Sequence, residues 1–287
     1  MKFDCLIIGG GPAGISSALY IKRSNFNVGV ITKNESSLMK AESVENYYGF
    51  PGGISGVELF NNGIKQALKL GISVFNDEVL DVEYNGIFKV QTVKGSYEAD
   101  SLIIASGNKK NVPKFKNAIN YEGKGISYCA ICDGFFYRGK TVGVVGSKEY
   151  ALHEIDVLKP LCKEIILFTD GEELVINDKL KDVKIVDEKI LEVNGNEKLE
   201  KVITQNNTYN IDGLFIALGS ASTSDLALKV GAITKDGKIE VNENMETNIS
   251  GLYACGDATR GTMQIAKAVY EGMISGLEVI KFLKKRK

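Results

Sequence analysis

The chain has 287 residues, enough for one large domain or two ordinary ones, so a sizeable core needs no metal or disulfide staple. Its 35 basic residues nearly balance 36 acidic ones, which excludes a whole-protein field for nucleic acid or an anionic membrane. Five cysteines spread over this length do not form the framework of a small secreted domain, and a reducing cytoplasm is expected. Lys2 and the apolar run to Tyr20 superficially suggest a signal peptide, but Asp4 and "GGGPAG" argue against one, and no apolar run approaches a membrane span.

In chain order, "FDCLII", "GGGPAG" and "ISSALYIKRSN" read as strand, tight turn and helix, with "NVGVIT" as the next strand, the opening of a doubly wound α/β domain. Helical spacing over 57–70 is followed by short strands in "GISVF", "EVLDVEY", "GIFKVQTV" and "GSYEA", closed by "SLIIASG". Residues 108–125 are polar and lysine-rich and read as a linker. A second strand, turn and helix then begin with "KTVGVVG", "KEYALHEIDVLKPL" and "KEIILFT", continuing through "VKIV", "KILEV", "KLEKVIT" and "NIDGLFIALG". The last segment predicts a strand, a "GD" turn and a long helix whose basic final turn suits the helix dipole.

Gly9, Gly11 and Gly14 satisfy G-x-G-x-x-G after a strand and at the opening of a helix. Gly9 permits the turn, Gly11 lets the backbone approach a pyrophosphate, and Gly14 lets helix and strand pack closely, so a dinucleotide is expected here. The loop alone does not separate FAD from NAD. The place of the ribose acid, at the end of the second strand, falls near Thr32.

Cys129 and Cys132 form the sole CxxC. Structural zinc takes four ligands, and the other candidates, Cys5, Cys162, Cys255 and His153, are scattered, so no metal is expected. Against a chance pairing of inert thiols, thiol–disulfide exchange is favoured. Asp133 follows directly, and both a general acid–base role and a turn-capping role stay open. His153, Cys5, Cys162 and Cys255 read as packing residues.

"SYCAICDGFFYRGKTVGVVG", with "GGGPAG", "VENYYGFPG", "LIIASG", "GLFIALG" and "GLYACGDATRGTMQIAKAVYEG", resembles the low-molecular-weight thioredoxin reductases in order along the whole chain. The resemblance implies two Rossmann-like (three-layer ββα) nucleotide-binding domains, the second inserted into the first: FAD binding by 1–111 and 239–287, and a nucleotide-type domain at 112–238 carrying the redox pair. It implies a homodimer, a thioredoxin or thioredoxin-like partner, and a central domain that reorients. Cys132 would face the flavin, Cys129 would attack the partner disulfide, and Asp133 would be the acid. Gly9, Gly11, Pro12, Ala13, Gly14, Asn46, Ala105, Gly107, Gly256, Asp257, Gln264, Ile265 and Ala266 would lie against FAD.

The resemblance breaks in the second loop. NADPH-using members carry G-G-G-x-[ST]-A and then a basic cluster, whereas this chain reads Gly146, Ser147, Lys148, Glu149, Tyr150, Ala151 and later Thr169, Asp170, Gly171, Glu172, Glu173. Lys148 fills the place of backbone approach, Glu149 adds a carboxylate, and no arginine lies between Arg138 and Arg260 to clamp a 2′-phosphate. These losses resemble the ferredoxin-dependent flavin thioredoxin reductases, so ferredoxin is the expected donor. The alternatives are an NADPH-dependent reductase with an altered loop, a dithiol oxidase using oxygen, a non-enzymatic flavin sensor, or a second domain that only carries the cysteines. Lys109, Lys110, Lys114, Lys116 and Lys124, or the terminal "KKRK", offer an acidic ferredoxin a landing patch, although a solvated hinge explains the first group as well.

Overall fold

The computed structural model describes residues 1–33, 35–108, 112–175 and 180–286. Packing divides the chain into two units, Met1–Lys110 with Ser222–Lys287, and Asn111–Ala221. The architecture is α/β with parallel sheets, and the second unit is inserted into the first.

In the first unit, β1 (Lys2–Ile8) leads through the glycine turn into α1 (Pro12–Arg23), and β2 (Val28–Thr32) follows. Pro12 starts α1 with its φ already helical, and Lys22 and Arg23 lie in its last turn. Helix α2 (Gly56–Lys69) begins where Ser55 Oγ accepts from the Glu58 amide at 3.1 Å. Strands β3 (Ser73–Asn76), β4 (Val79–Tyr84), β5 (Phe88–Thr92) and β6 (Ser96–Ile104) complete the sheet in the order β3-β2-β1-β6-β5-β4.

"GSYEA" and "SLIIASG", expected as separate strands, are one: β6 runs through Asp100, held extended by pairing of Ala99 and Ser101 with Phe3 and Cys5 of β1. Its first half pairs antiparallel with β5 and its second half runs parallel to β1, joining the strand insertion to the parallel sheet.

The second unit starts with β7 (Ile126–Ser127) and the short α3 (Ala130–Asp133), then β8 (Thr141–Val145), α4 (Glu149–Leu158) and β9 (Glu164–Phe168). β10 (Lys184–Val186), β11 (Ile190–Asn194), β12 (Lys201–Thr204), β13 (Thr208–Asn210) and β14 (Gly213–Ile216) follow. A parallel sheet, β10-β9-β8-β14-β7, stands beside an antiparallel one, β11-β12-β13. The segment expected as a linker is, from residue 112 onward, part of this unit. Phe115 and Ala118 are buried in its core, and Lys116 exchanges backbone hydrogen bonds with Leu191 and Val193, so apolar residues between the lysines decide its fate.

The chain returns to the first unit as α5 (Thr223–Lys229), the hairpin β15 (Thr234–Lys235) and β16 (Lys238–Ile239), β17 (Leu252–Ala254) beside β6, and α6 (Ile265–Arg286). Helix α6 packs on α1 where a Cβ on Gly272 would lie 2.2 Å from the Ala13 carbonyl oxygen and one on Gly276 2.9 Å from that of Ser17, with Ser16 Oγ donating to the Val269 carbonyl at 2.9 Å. The packing boundary falls at 221/222, ahead of the sequence-based 238/239. Helix α5 packs on β4, β15 and β16, and a buried ion pair ties it to β4: Lys229 Nζ lies 3.4 Å from Asp81 Oδ1, with side chains 0% and 7% exposed. Lys229→Ala should lower the unfolding free energy by about 3 kcal/mol, because it strands a buried carboxylate. Urea unfolding checks this, and a loss below about 1 kcal/mol would mean that water screens the pair.

Candidate functional site

The first glycine loop separates what the fold needs from what a ligand needs. A Cβ on Gly9, whose φ is +113°, would lie 2.3 Å from the Ala105 carbonyl oxygen, and one on Gly14 would lie 1.9 Å from the Gly9 carbonyl oxygen. Both are glycine because strand, turn and helix touch there. At Gly11 a Cβ would meet only Ser36 Oγ, at 3.5 Å, so packing does not demand glycine. Gly11 is also the N-cap of α1 and makes no side-chain cap bond, leaving first-turn amides for an anionic ligand.

Gly11, Pro12 and Ile265 line one cavity of about 380 Å³ with Tyr47, Phe50 and Phe60. Asn46, expected at the cofactor, donates to Gln264 Oε1 at 3.1 Å. Ala13 and Gly14 are buried in the first turn of α1, and Ala105, just after β6, receives the turn. The Gly107 carbonyl accepts from Thr223 Oγ1 at 2.7 Å, and Ala266 follows Ile265 in the first turn of α6.

Sequence reasoning missed the residues that hold the Gly256–Asp257 turn. Glu271 Oε2 accepts from the Gly256 amide at 2.8 Å and from Thr259 Oγ1 at 2.9 Å. Lys267 Nζ donates to the Gly256 carbonyl at 2.8 Å and pairs with Glu271 at 3.1 Å, while Lys238 Nζ donates to the Asp257 carbonyl. The spacing of Lys267 and Glu271, one helical turn apart on α6, was the available signal. Cys255 is buried before this turn, and burial pushes its thiol up to about 11, just as burial pushes Cys5 up to about 12. Neither is a thiolate nucleophile near neutral pH. Cys162, half-buried, is raised by burial as well.

In the second unit Cys129 and Cys132 are joined as a disulfide at the start of α3, Cα–Cα 5.3 Å. Cys129 is buried and Cys132 exposed. Asp133 Oδ2 accepts from Ser127 Oγ at 2.7 Å, and Ser127 Oγ in turn accepts from the Cys129 amide at 3.1 Å. Among the described residues no group of three or more His, Cys, Asp or Glu is placed to hold a metal ion.

The second glycine loop keeps the fold's glycine and loses the ligand's. A Cβ on Gly146 would lie 2.3 Å from the Ala217 carbonyl oxygen, repeating the contact of Gly9. Lys148 stands where Gly11 stands, as the N-cap of α4 with no side-chain cap bond, and Ala151 takes the third position, which the fingerprint tolerates. The Ser147 carbonyl accepts from the Val175 amide at 2.9 Å, so the acidic segment folds onto the loop. Asp170 Oδ1 accepts from the Ile190 amide at 2.7 Å.

The sequence matches the family described as pyridine nucleotide-disulphide oxidoreductase over residues 3–272. It is 31% identical to the thioredoxin reductase of Borreliella burgdorferi over 98% of this chain and 92% of that protein. The chain belongs to the thioredoxin reductase family. Among solved members, the atypical thioredoxin reductase TRi from Desulfovibrio vulgaris Hildenborough superposes with TM-score 0.93 at 33% identity, covering 99% of this chain and 98% of that one. A ferredoxin-flavin thioredoxin reductase from Clostridium acetobutylicum gives TM-score 0.74 at 33% identity over 99% of each chain. These thioredoxin reductases are FAD-binding flavoproteins, and the first glycine loop, with an open Gly11 and uncapped helix amides, fits that group. Among the described residues no helix is long and apolar enough to cross a membrane.

Proposed function

We propose that the protein is a cytoplasmic, homodimeric reductase of thioredoxin or a thioredoxin-like protein, taking electrons from reduced ferredoxin through FAD and the Cys129–Cys132 pair. The observation that carries the choice of donor is Lys148 in the place of Gly11: where the first loop has no side chain, the second has one. Likeness to the Clostridium acetobutylicum ferredoxin-flavin enzyme supports it. A low-potential ferredoxin near −400 mV lies about 130 mV below thioredoxin, roughly 6 kcal/mol for two electrons. Exposed Lys114, Lys116 and Lys124 are available to an acidic donor, while Lys109 and Lys110 lie outside the described residues. Tyr20, Tyr270 and Leu277, exposed on α1 and α6, suit a second copy.

Gly9, Gly11, Pro12, Ala13, Gly14, Asn46, Ala105, Gly107, Gly256, Asp257, Gln264, Ile265 and Ala266 would hold the cofactor. FAD, when bound, supplies the ability to take electrons singly and deliver them to a disulfide as a pair. Two electrons and two protons turn Cys129–Cys132 into a dithiol. The Cys129 thiolate attacks the partner disulfide, whose S–S bond breaks as a mixed disulfide forms, and the departing sulfur takes a proton. The Cys132 thiolate then attacks Cys129, releasing the partner's second thiol and restoring the intramolecular disulfide. Asp133, oriented by Ser127, is the group placed to move those protons. Ile131, Phe135 and Phe136, 44%, 65% and 69% exposed, form an apolar surface beside the pair that suits a protein partner.

The test mixes the anaerobic protein separately with NADPH, NADH, reduced ferredoxin and oxygen, following flavin absorbance and thioredoxin thiols. Bleaching and thiol production are expected from ferredoxin alone. Bleaching by NADPH within a turnover time, or net electron transfer from dithiol to oxygen, overturns the donor assignment.

A further inference from the structure

Helix α4 follows the second glycine loop, and its inner face turns toward the redox pair. Glu154 is 1% exposed, and its Oε2 accepts a hydrogen bond from the Ala130 amide at 2.7 Å, the peptide just after Cys129. One turn earlier Tyr150, also 1% exposed, donates its hydroxyl to the Tyr128 carbonyl at 3.4 Å, the peptide just before Cys129. Ser127 holds the Cys129 amide itself, and Cys129 Sγ accepts from the Cys132 amide at 3.2 Å. The backbone on both sides of Cys129 is therefore fixed by one helix.

We infer that Glu154 is a positioning residue for the redox pair: through the Ala130 amide it fixes Cys129, and its carboxylate holds the Cys129–Cys132 couple toward the disulfide. On this account α4 remains in the second unit as a clamp on the thiols. The inference rests on the redox role proposed above for the pair, but not on the identity of its electron donor.

Two physical effects act together. A hydrogen bond from a buried amide to a carboxylate is stronger than a neutral one, and its loss leaves the donor buried without a partner. A carboxylate one peptide away from a sulfur also opposes thiolate formation, so it disfavours the reduced couple at a pH where that couple carries a thiolate. Glu154→Gln separates these effects, because the amide oxygen still accepts from Ala130 while the charge is gone. Glu154→Ala removes both.

The experiment equilibrates wild type, Glu154→Gln and Glu154→Ala, each as anaerobic holoprotein, in dithiothreitol buffers of graded oxidation at about pH 9, above the ordinary thiol pKa. Thiols are then trapped with a maleimide polymer and resolved by mass. For Glu154→Gln the couple should become easier to reduce by about tenfold, equivalent to about 30 mV, with an unchanged thermal midpoint. Glu154→Ala should show the same displacement together with slower thioredoxin reduction, which Gln restores toward wild type. A Glu154→Gln couple within twofold of wild type overturns the inference, whether or not Glu154→Ala folds. A wild-type pair that does not cycle in these buffers at all overturns the disulfide-reductase reading, and this inference with it.

Discussion

With Cys132 replaced by serine and the disulfide bond no longer able to re-form, thioredoxin accumulates as a mixed disulfide on Cys129, and turnover falls by roughly 10³-fold or more. The first exchange needs only one thiolate, and the second needs the partner sulfur three residues on. Cys129→Ser should give the same loss of turnover with no adduct. The measurement is a mass shift of one thioredoxin on the protein, reversed by dithiothreitol. The exposures make this a real choice, because in the oxidised pair Cys132 is the exposed sulfur and Cys129 is 4% exposed. An adduct on Cys132 in the Cys129→Ser protein would exchange the two roles.

Gly11→Asp should leave the fold intact and empty it of FAD. The N-cap accepts aspartate as readily as glycine, φ at Gly11 is −76°, and a new Cβ has room. The carboxylate would face a pyrophosphate at the same amides, so FAD affinity should drop at least about 100-fold, near 3 kcal/mol. Gly14→Ala is the contrast. Its Cβ would lie 1.9 Å from the Gly9 carbonyl oxygen, and about 3 kcal/mol of stability or more should go with it. Circular dichroism with flavin content after gel filtration separates the two. Wild-type flavin content in Gly11→Asp would remove the first loop from the cofactor site.

Much of the site was legible in the sequence because it is built from local signals. A strand, three glycines and a helix start lie within one short stretch, and the two cysteines with Asp133 lie within another. The departure of the second loop from the fingerprint was legible for the same reason, since Lys148 and Glu149 occupy positions defined by spacing from Gly146. Boundaries were harder. Lysines in 108–125 read as a linker, yet Phe115 and Ala118 carry the segment into the second core. The short strands β7, β13, β15 and β16 run for only two or three residues, too few for any alternation to register.

The sequence by itself determined the local motifs: a CxxC pair, one glycine loop with the full dinucleotide fingerprint and one without it, each set by residues close together along the chain. Tertiary structure decided how those motifs are held. Asn46 meets Gln264 across 218 residues, Lys229 reaches Asp81 from the returning segment, and Glu154 meets the Ala130 amide across 24. No periodicity announces such pairs, because a buried polar group must find a partner wherever the packed chain supplies one.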